Sequence, residues 1–254
     1  MNTRPKVGLF VTCLVDLVRP SVGFASVKLL EAAGCDVHVP RAQTCCGQPA
    51  WNAGDNKNAV AIARNVIAAF EAFDYVVVPS ASCAGTLKNH YPEILKHDRE
   101  FLPRAKALAA KTHELIAFLV NERGMKDVAA TCEGKVCYHA SCSSLREIGL
   151  TDQPQTLLQG VKGLELCALN EPEVCCGFGG LFAVKYPEIS ERMADQKIAD
   201  VQSSGADILV SADLGCLLHL AGRMARTGKP MEVRHIAEIL AGDTDTPGLG
   251  ETKP

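Results

Sequence analysis

The sequence predicts an α/β protein built from two pseudo-symmetric, Rossmann-like βα repeats with parallel sheets. Three observations carry this reading. Cys-Cys-Gly occurs twice, at Cys45-Cys46-Gly47 and Cys175-Cys176-Gly177. Thirty-one residues separate Cys13 from the first pair and thirty-six separate that pair from Cys83, while thirty-two separate Cys142 from the second pair and thirty-nine separate it from Cys216. Short apolar runs fit for buried parallel strands alternate with segments of helical period. Finally, 254 residues accommodate two domains of about 100 to 130 residues each.

The elements follow in order. Val7 to Val11 is an apolar run that ends at Cys13. Ser21 to Ala33 reads as a helix closed by Gly34, Asp36 to Val39 as a short strand, and Pro40 to Gly54 as a loop carrying Cys45 and Cys46. Asp55 is placed to cap a helix in which Ala59, Ile62, Ala63, Val66, Ile67 and Phe70 recur at helical spacing. Tyr75 to Val78 follows as a strand delivering Ser80-Ala81-Ser82-Cys83. A helical stretch over Pro103 to Glu122 then leads to a linker at Gly124.

The second half repeats the plan. Lys135 to His139 reads as the strand before Cys142, and Leu164 to Leu169 as the strand before the loop with Cys175 and Cys176. Pro187 to Ser204 is the long helix, closed by Gly205, and Asp207 to Val210 is the next strand. Asp213 is placed to cap a helix that begins almost at Cys216. The predicted boundaries are therefore 1–125 and 126–241 for the two repeats, with 242–254, rich in Gly, Pro, Thr and acid, as a disordered tail.

Composition narrows the function. A net charge of −3 with 22% charged residues is ordinary, and no basic stripe with interleaved aromatics argues for nucleic acid. Arg4 and Lys6 before the apolar run superficially resemble a secretory signal, yet Asp16 and Arg19 interrupt it and no small-residue cleavage site follows. No apolar stretch approaches the roughly 18 residues that span a bilayer, so membrane contact would come through a partner. Twelve cysteines in a long apolar chain point to free thiols in a reducing cytoplasm, not to a disulfide framework.

Parallel βα sheets open their sites at the carboxyl ends of strands, and all three cysteine segments of each half fall there. A βα unit returns the chain to the same sheet edge, so cysteines distant in sequence become neighbours. The candidate metal ligands are Cys13, Cys45, Cys46 and Cys83 in one half and Cys142, Cys175, Cys176 and Cys216 in the other. Four thiolates hold zinc or an iron–sulfur cluster. Zinc sites draw on compact Cys-x-x-Cys knuckles, which are absent, and ligands from three distant loops suit the larger footprint of a cluster. Eight merely buried thiols would leave the repeated spacing unexplained.

Gly47, Gly177, Gly179 and Gly180 are read as letting the backbone approach sulfur and aim N–H groups at it; tight turns are the alternative. Gly177-Phe178-Gly179-Gly180 does not have the glycine spacing of a dinucleotide loop. Cys35, Cys132, Cys137 and Cys167 read as small packing residues. His219, three residues after Cys216, and His139, near Cys142, are expected behind the site or at the surface instead of on a metal. Trp51 and Pro49 are expected to pack over the first site, and Lys185 either tunes the second or faces solvent. No paired carboxylates, serine triad, flavin motif or nicotinamide motif stands out.

The doubled pattern Cys13…Cys45-Cys46-Gly47…Cys83 and Cys142…Cys175-Cys176-Gly177…Cys216 resembles the CCG-repeat cysteine-rich family. That family includes the disulfide-reducing subunit of heterodisulfide reductase and the iron–sulfur subunits of glycolate oxidase and anaerobic glycerol-3-phosphate dehydrogenase. The words Phe10-Val11-Thr12-Cys13, Cys45-Cys46-Gly47-Gln48-Pro49-Ala50, Tyr138-His139-Ala140-Ser141-Cys142-Ser143, Cys175-Cys176-Gly177-Phe178-Gly179-Gly180 and His235-Ile236-Ala237-Glu238 are closer to its lactate-utilisation protein A branch. The resemblance implies an iron–sulfur subunit of a complex oxidising L-lactate to pyruvate. Its partners would be a ferredoxin-type iron–sulfur protein and a third lactate-utilisation protein. In the heterodisulfide reductase member each motif ends in Cys-x-x-Cys and five cysteines hold a non-cubane cluster. Here the tails are Cys83-Ala84-Gly85-Thr86 and Cys216-Leu217-Leu218-His219. Without a fifth thiolate, the expectation is an ordinary [4Fe–4S] cluster in each half, with zinc at one site as the alternative. Other readings are a zinc-stabilised scaffold that docks redox partners, and a subunit acting on another 2-hydroxy acid or glycerol-3-phosphate.

Overall fold

A computed structural model describes residues 4–250, and its contacts divide the chain into units Met1–Gly124 and Met125–Pro254. The first unit holds a parallel sheet of β1 (Lys6–Leu9), β2 (Asp36–His38), β3 (Tyr75–Val78) and β4 (Thr112–Glu114), in the order β2-β1-β3-β4. The second holds β5 (Thr131–Tyr138), β6 (Lys162–Cys167), β7 (Ile208–Ser211) and β8 (Glu232–His235), in the order β6-β5-β7-β8. Each unit is thus an α/β layer in which the second strand lies outside the first and the third and fourth follow on the other side. The strand order reverses beside the first strand, and at such a point the carboxyl edge opens into a crevice.

The central strands are apolar because both faces are covered. Val7, Leu9 and the run Val76, Val77 and Val78 are fully buried, as are Val136, Leu209 and Val210. Asp55 caps the Asn56–Phe70 helix, its side chain accepting from Asn58 N–H at 3.1 Å. That helix turns Ala59, Ala63, Val66, Ile67 and Phe70 inward. Burial of each such large side chain contributes roughly 1.5–3 kcal/mol.

The structure departs from expectation in three places. The helix expected over 103–122 is interrupted: Phe101–Ala110 is helical, β4 follows, and helix resumes at Leu115. Thr-His-Glu has no apolar run to mark a strand, yet Thr112 is fully buried and pairs with Val76 across the sheet. The fourth strand of the second sheet was likewise hidden by charge. In β8 the guanidinium of Arg234 is buried, donates to the carbonyls of Thr244 (2.9 Å) and Thr246 (2.6 Å), and pairs with Glu232. The third departure follows: residues 243–250, expected to be disordered, run back along this edge. Leu249 N–H donates to Val233 at 2.8 Å and its side chain is buried, which covers an otherwise open strand edge. The last four residues of that tail, 251–254, lie outside the described residues.

Candidate metal centres

In the first unit, β1 ends just before Cys13, the first residue of the Cys13–Val18 helix. The loop after β2 carries Cys45 and Cys46, and β3 leads into the Ala81–Gly85 helix that contains Cys83. Adjacent strands β2-β1-β3 therefore deliver all four thiols to one edge. The Sγ atoms of Cys13 and Cys45 stand 3.9 Å apart, and the Cys46 thiol interacts with those of Cys45 and Cys83. Cys46 is buried while Cys13, Cys45 and Cys83 are partly open. Thr12, which caps the Cys13 helix through Val15 N–H at 3.4 Å, has φ +71°. Among the described residues it is the one non-glycine residue with positive φ, so backbone strain sits directly beside a ligand candidate.

The second unit repeats the arrangement. Cys142 follows β5, Cys175 and Cys176 lie in the loop after β6, and Cys216 is in the first turn of the Leu214–Arg226 helix after β7. Cys175 interacts with both Cys142 and Cys176, and Cys176 with Cys216. Among the described residues, one group of three donor atoms lies within 4.8 Å of one another: His139, Cys176 and Cys216.

The glycines act differently from one another. Gly47 N–H points at Cys45 Sγ (3.5 Å) and Gly177 N–H at Cys175 Sγ (3.4 Å), while Phe178 N–H approaches Cys176 Sγ (3.4 Å). Both Cys-Cys-Gly glycines are left-handed, with φ +85° and +86°, which favours glycine. A Cβ on Gly177 would lie 2.6 Å from Ser190 O, and one on Gly47 would lie 3.1 Å from Ile62. Gly179 and Gly180 also have positive φ and shape the turn into the Leu181–Lys185 helix.

The thiol hydrogen bonds single out one anion per set. Cys45 accepts from Cys13, Cys46 and Gly47 N–H, and these donors hold its pKa well below the ordinary thiol value. Cys175 is lowered in the same way by Cys142, Cys176 and Gly177 N–H. The donors Cys13 and Cys142 are pushed up, by that hydrogen bond and by burial. Binding a metal to all four would release the remaining protons. The donor set is all soft sulfur in the first unit and soft sulfur beside a neutral imidazole in the second, which fits zinc or iron–sulfur binding and not a hard cation. In each unit the thiols form a chain of neighbours, Cys13, Cys45, Cys46 and Cys83 in the first and Cys142, Cys175, Cys176 and Cys216 in the second.

Around the two sets, Pro49 and Trp51 depart from expectation, whereas His219, Lys185 and the other cysteines lie where the sequence placed them. Pro49 is exposed and Trp51 only half-buried; Trp51 lines a groove with Val60, Arg64 and Ile94 whose wall includes no cysteine. The residue that covers the first loop from below is Tyr91, which is fully buried. His219 Nε2 meets Ser190 Oγ at 3.1 Å, and that hydroxyl donates to Gly177 O at 2.8 Å. The imidazole therefore braces the Cys-Cys-Gly turn. Lys185 is exposed. Cys35, Cys132 and Cys137 are buried and Cys167 half-buried, with Cys137 and Cys167 facing each other across β5 and β6.

Sequence reasoning missed Lys197 and Asp200. Both are buried on the Pro187–Ser203 helix, where Lys197 Nζ reaches Asp200 Oδ2 at 3.2 Å and also donates to Glu171 O. Asp200 in turn accepts from Asn170 N–H (2.9 Å) and Glu171 N–H (3.3 Å). The pair anchors the start of the loop that carries Cys175. Its signal was available: a Lys and an Asp three apart on the stripe that also holds Ala194, Ile198 and Val201. His139, expected behind the site or at the surface, is instead buried with a ring nitrogen facing Cys176 and Cys216.

Comparison with known proteins agrees with this geometry. A family model described as a cysteine-rich domain, CCG, matches residues 7–88 and 136–221. Lactate utilization protein A of Geobacillus kaustophilus is 52% identical over 235 residues, covering 92% of this chain and 98% of the relative. The protein of that name from Halalkalibacterium halodurans is 46% identical over the same length, covering 92% and 96%. A crystal structure of a hypothetical protein from Helicobacter pylori shares the fold with a TM-score of 0.65 at 13% identity, covering 99% of this chain and 53% of that one. Two copies of one α/β unit, each gathering a Cys-Cys-Gly pair with two more cysteines at one sheet edge, and relatives matched nearly end to end, show that the chain belongs to the cysteine-rich CCG family, in its lactate utilization protein A branch.

Proposed function

We propose that the protein is an iron–sulfur electron-transfer subunit of a cytoplasmic complex that oxidises L-lactate to pyruvate. In this reading it works beside a ferredoxin-type iron–sulfur protein and a third lactate-utilisation protein. The observation that carries it is the convergence of four thiols at the same three-strand edge in each unit, Cys13, Cys45, Cys46 and Cys83 in one and Cys142, Cys175, Cys176 and Cys216 in the other. The names of the relatives supply the lactate.

Lactate gives up two electrons and two protons on becoming pyruvate. A bound cluster supplies one-electron chemistry, and two clusters in one chain match the two electrons. The protein's part is to fix and shield the thiolates. Gly47 and Gly177 N–H groups face the sulfurs that ionise first, where they stabilise negative charge and raise the potential. No helix among the described residues is long and apolar enough to cross a membrane.

A second reading places zinc in the second unit, favoured by the compact His139, Cys176 and Cys216 group. The test of function is growth on L-lactate as sole carbon source in a strain whose own copy is replaced by Cys45→Ser or Cys175→Ser. Loss of lactate-dependent electron flow with a folded chain supports the proposal. Full activity of both variants overturns it.

A further inference from the structure

The two units differ at one buried position beside the thiols. Phe10 lies three residues before Cys13, and His139 three residues before Cys142. The two are equivalent in backbone terms. Phe10 N–H donates to Val77 O at 2.9 Å, and His139 N–H donates to Val210 O at 2.8 Å, each across to the third strand of its own sheet. Phe10 is fully buried against Phe70, ring centroids 5.5 Å apart. An apolar ring is the ordinary filling for this place.

His139 is 1% exposed, yet neither ring nitrogen has a hydrogen-bond partner. Leaving a buried polar group unpaired is unfavourable, so a polar side chain here calls for a partner. A ring nitrogen lies within 4.8 Å of both Cys176 Sγ and Cys216 Sγ. An imidazole in its neutral form offers a lone pair at the nitrogen that carries no proton.

Resting on the reading that metal occupies the thiol sets, we propose that His139 is a nitrogen ligand of the metal centre in the second unit. The two centres are then chemically unlike: thiolate alone in the first, thiolate with imidazole in the second. On a four-iron cluster the imidazole takes the position of one of the four thiolates, and a neutral nitrogen in place of an anionic sulfur raises the potential of an iron–sulfur centre, so the second centre is the stronger electron acceptor of the two. The same donor on zinc makes a mixed sulfur and nitrogen site.

The experiment uses the full chain purified without oxygen, from cells fed ordinary histidine or histidine labelled with nitrogen-15. Iron, sulfide and zinc are counted first. If the second centre holds iron, pulsed electron paramagnetic resonance of the reduced protein is expected to show a strong coupling that changes with the label. His139→Phe, which copies the first unit, should abolish that coupling and lower the second centre's potential while leaving the first centre's signal in place. If it holds zinc, X-ray absorption is expected to show a nitrogen shell at about 2.0 Å beside sulfur at about 2.3 Å, and only sulfur in the variant. A metal-loaded centre with sulfur alone, or with only weak nitrogen coupling in the wild-type chain, overturns the assignment and leaves the metal reading intact. A second unit without any metal overturns both. The labelled wild-type chain decides the matter even if the variant does not fold.

Discussion

The hydroxyl of Tyr91 donates to the main-chain carbonyl of Cys46 at 2.9 Å, and the ring is fully buried. Tyr91 belongs to the helical segment that continues from Cys83 through Thr86–His90. One side chain thus ties the loop cysteines of the first unit to the segment of the third. Tyr91→Phe removes the donor but keeps the packing, leaving the Cys46 carbonyl without this partner at a cost of about 1–3 kcal/mol. Urea unfolding should register that loss, and a chelator should strip metal faster from the first centre than from the second. Unchanged stability and release would show that the bond is incidental.

The buried pair of Lys197 and Asp200 gives a graded prediction. Asp200 also accepts from two main-chain N–H groups, so Asp200→Ala strands an ammonium and two donors. It should cost about 3–5 kcal/mol. Lys197→Met leaves a carboxylate that retains its two N–H partners and should cost less. The double variant should recover part of the Asp200→Ala loss. Denaturant unfolding of the three variants measures the order, and an additive result would remove the case for coupling.

Two glycines in one loop should differ sharply. Gly177→Ala drives a Cβ to 2.6 Å from Ser190 O and 2.9 Å from Met193 Cβ at φ +86°, whereas the same change at Gly180 meets nothing within 4 Å at φ +58°. The second carries only the backbone penalty of a positive φ outside the left-handed helical region, about 1–3 kcal/mol. The first adds a collision with the helix that braces the turn, and should weaken metal retention in the second unit. Thermal unfolding and metal content of the two variants give the comparison, and equal effects would contradict it.

Thiol reactivity should follow the hydrogen bonds. A lowered pKa leaves a group ionised at pH values where ordinary thiols are protonated. In metal-free, reduced protein at about pH 6, Cys45 and Cys175 should therefore be the first site cysteines alkylated by iodoacetamide, because the thiolate is the nucleophile. As pH rises toward the ordinary thiol range the selectivity should fade. Cys137, pushed up to about 11 by burial, should remain unmodified throughout. Mass mapping of the labelled peptides checks this, and preferential labelling of Cys13 or Cys142 would reverse the assignment of donor and acceptor.

Much of this was legible because it was repeated. The apolar runs at Val7 and Tyr75, the caps at Asp55 and Asp213, and the doubled cysteine spacing all agree with one another, and together they specify parallel strands with thiols at their carboxyl ends. What escaped notice was polar and buried. Thr112 to Glu114 and Glu232 to His235 are outer strands whose side chains are satisfied by ion pairs, caps and tail carbonyls, so their sequences carry no apolar period. The tail looked disordered by composition, yet Arg234 collects its carbonyls and Leu249 finds a hydrophobic seat. His139 reads as one more histidine until burial and the Phe10 equivalence are seen together. Sequence can give the spacing of ligands along the chain, whereas the lack of any partner for an imidazole is visible only in three dimensions.

Under the proposed function each set of four thiols holds a metal centre, and iron–sulfur clusters carry the electrons. The most direct test counts iron, acid-labile sulfide and zinc per chain in protein purified without oxygen, with low-temperature electron paramagnetic resonance after reduction. Iron and sulfide in near-equal amounts, about four of each for every cubane cluster, with a signal from the reduced protein, is the predicted result. A chain that reproducibly carries neither iron nor sulfide, whatever its zinc content, would contradict it.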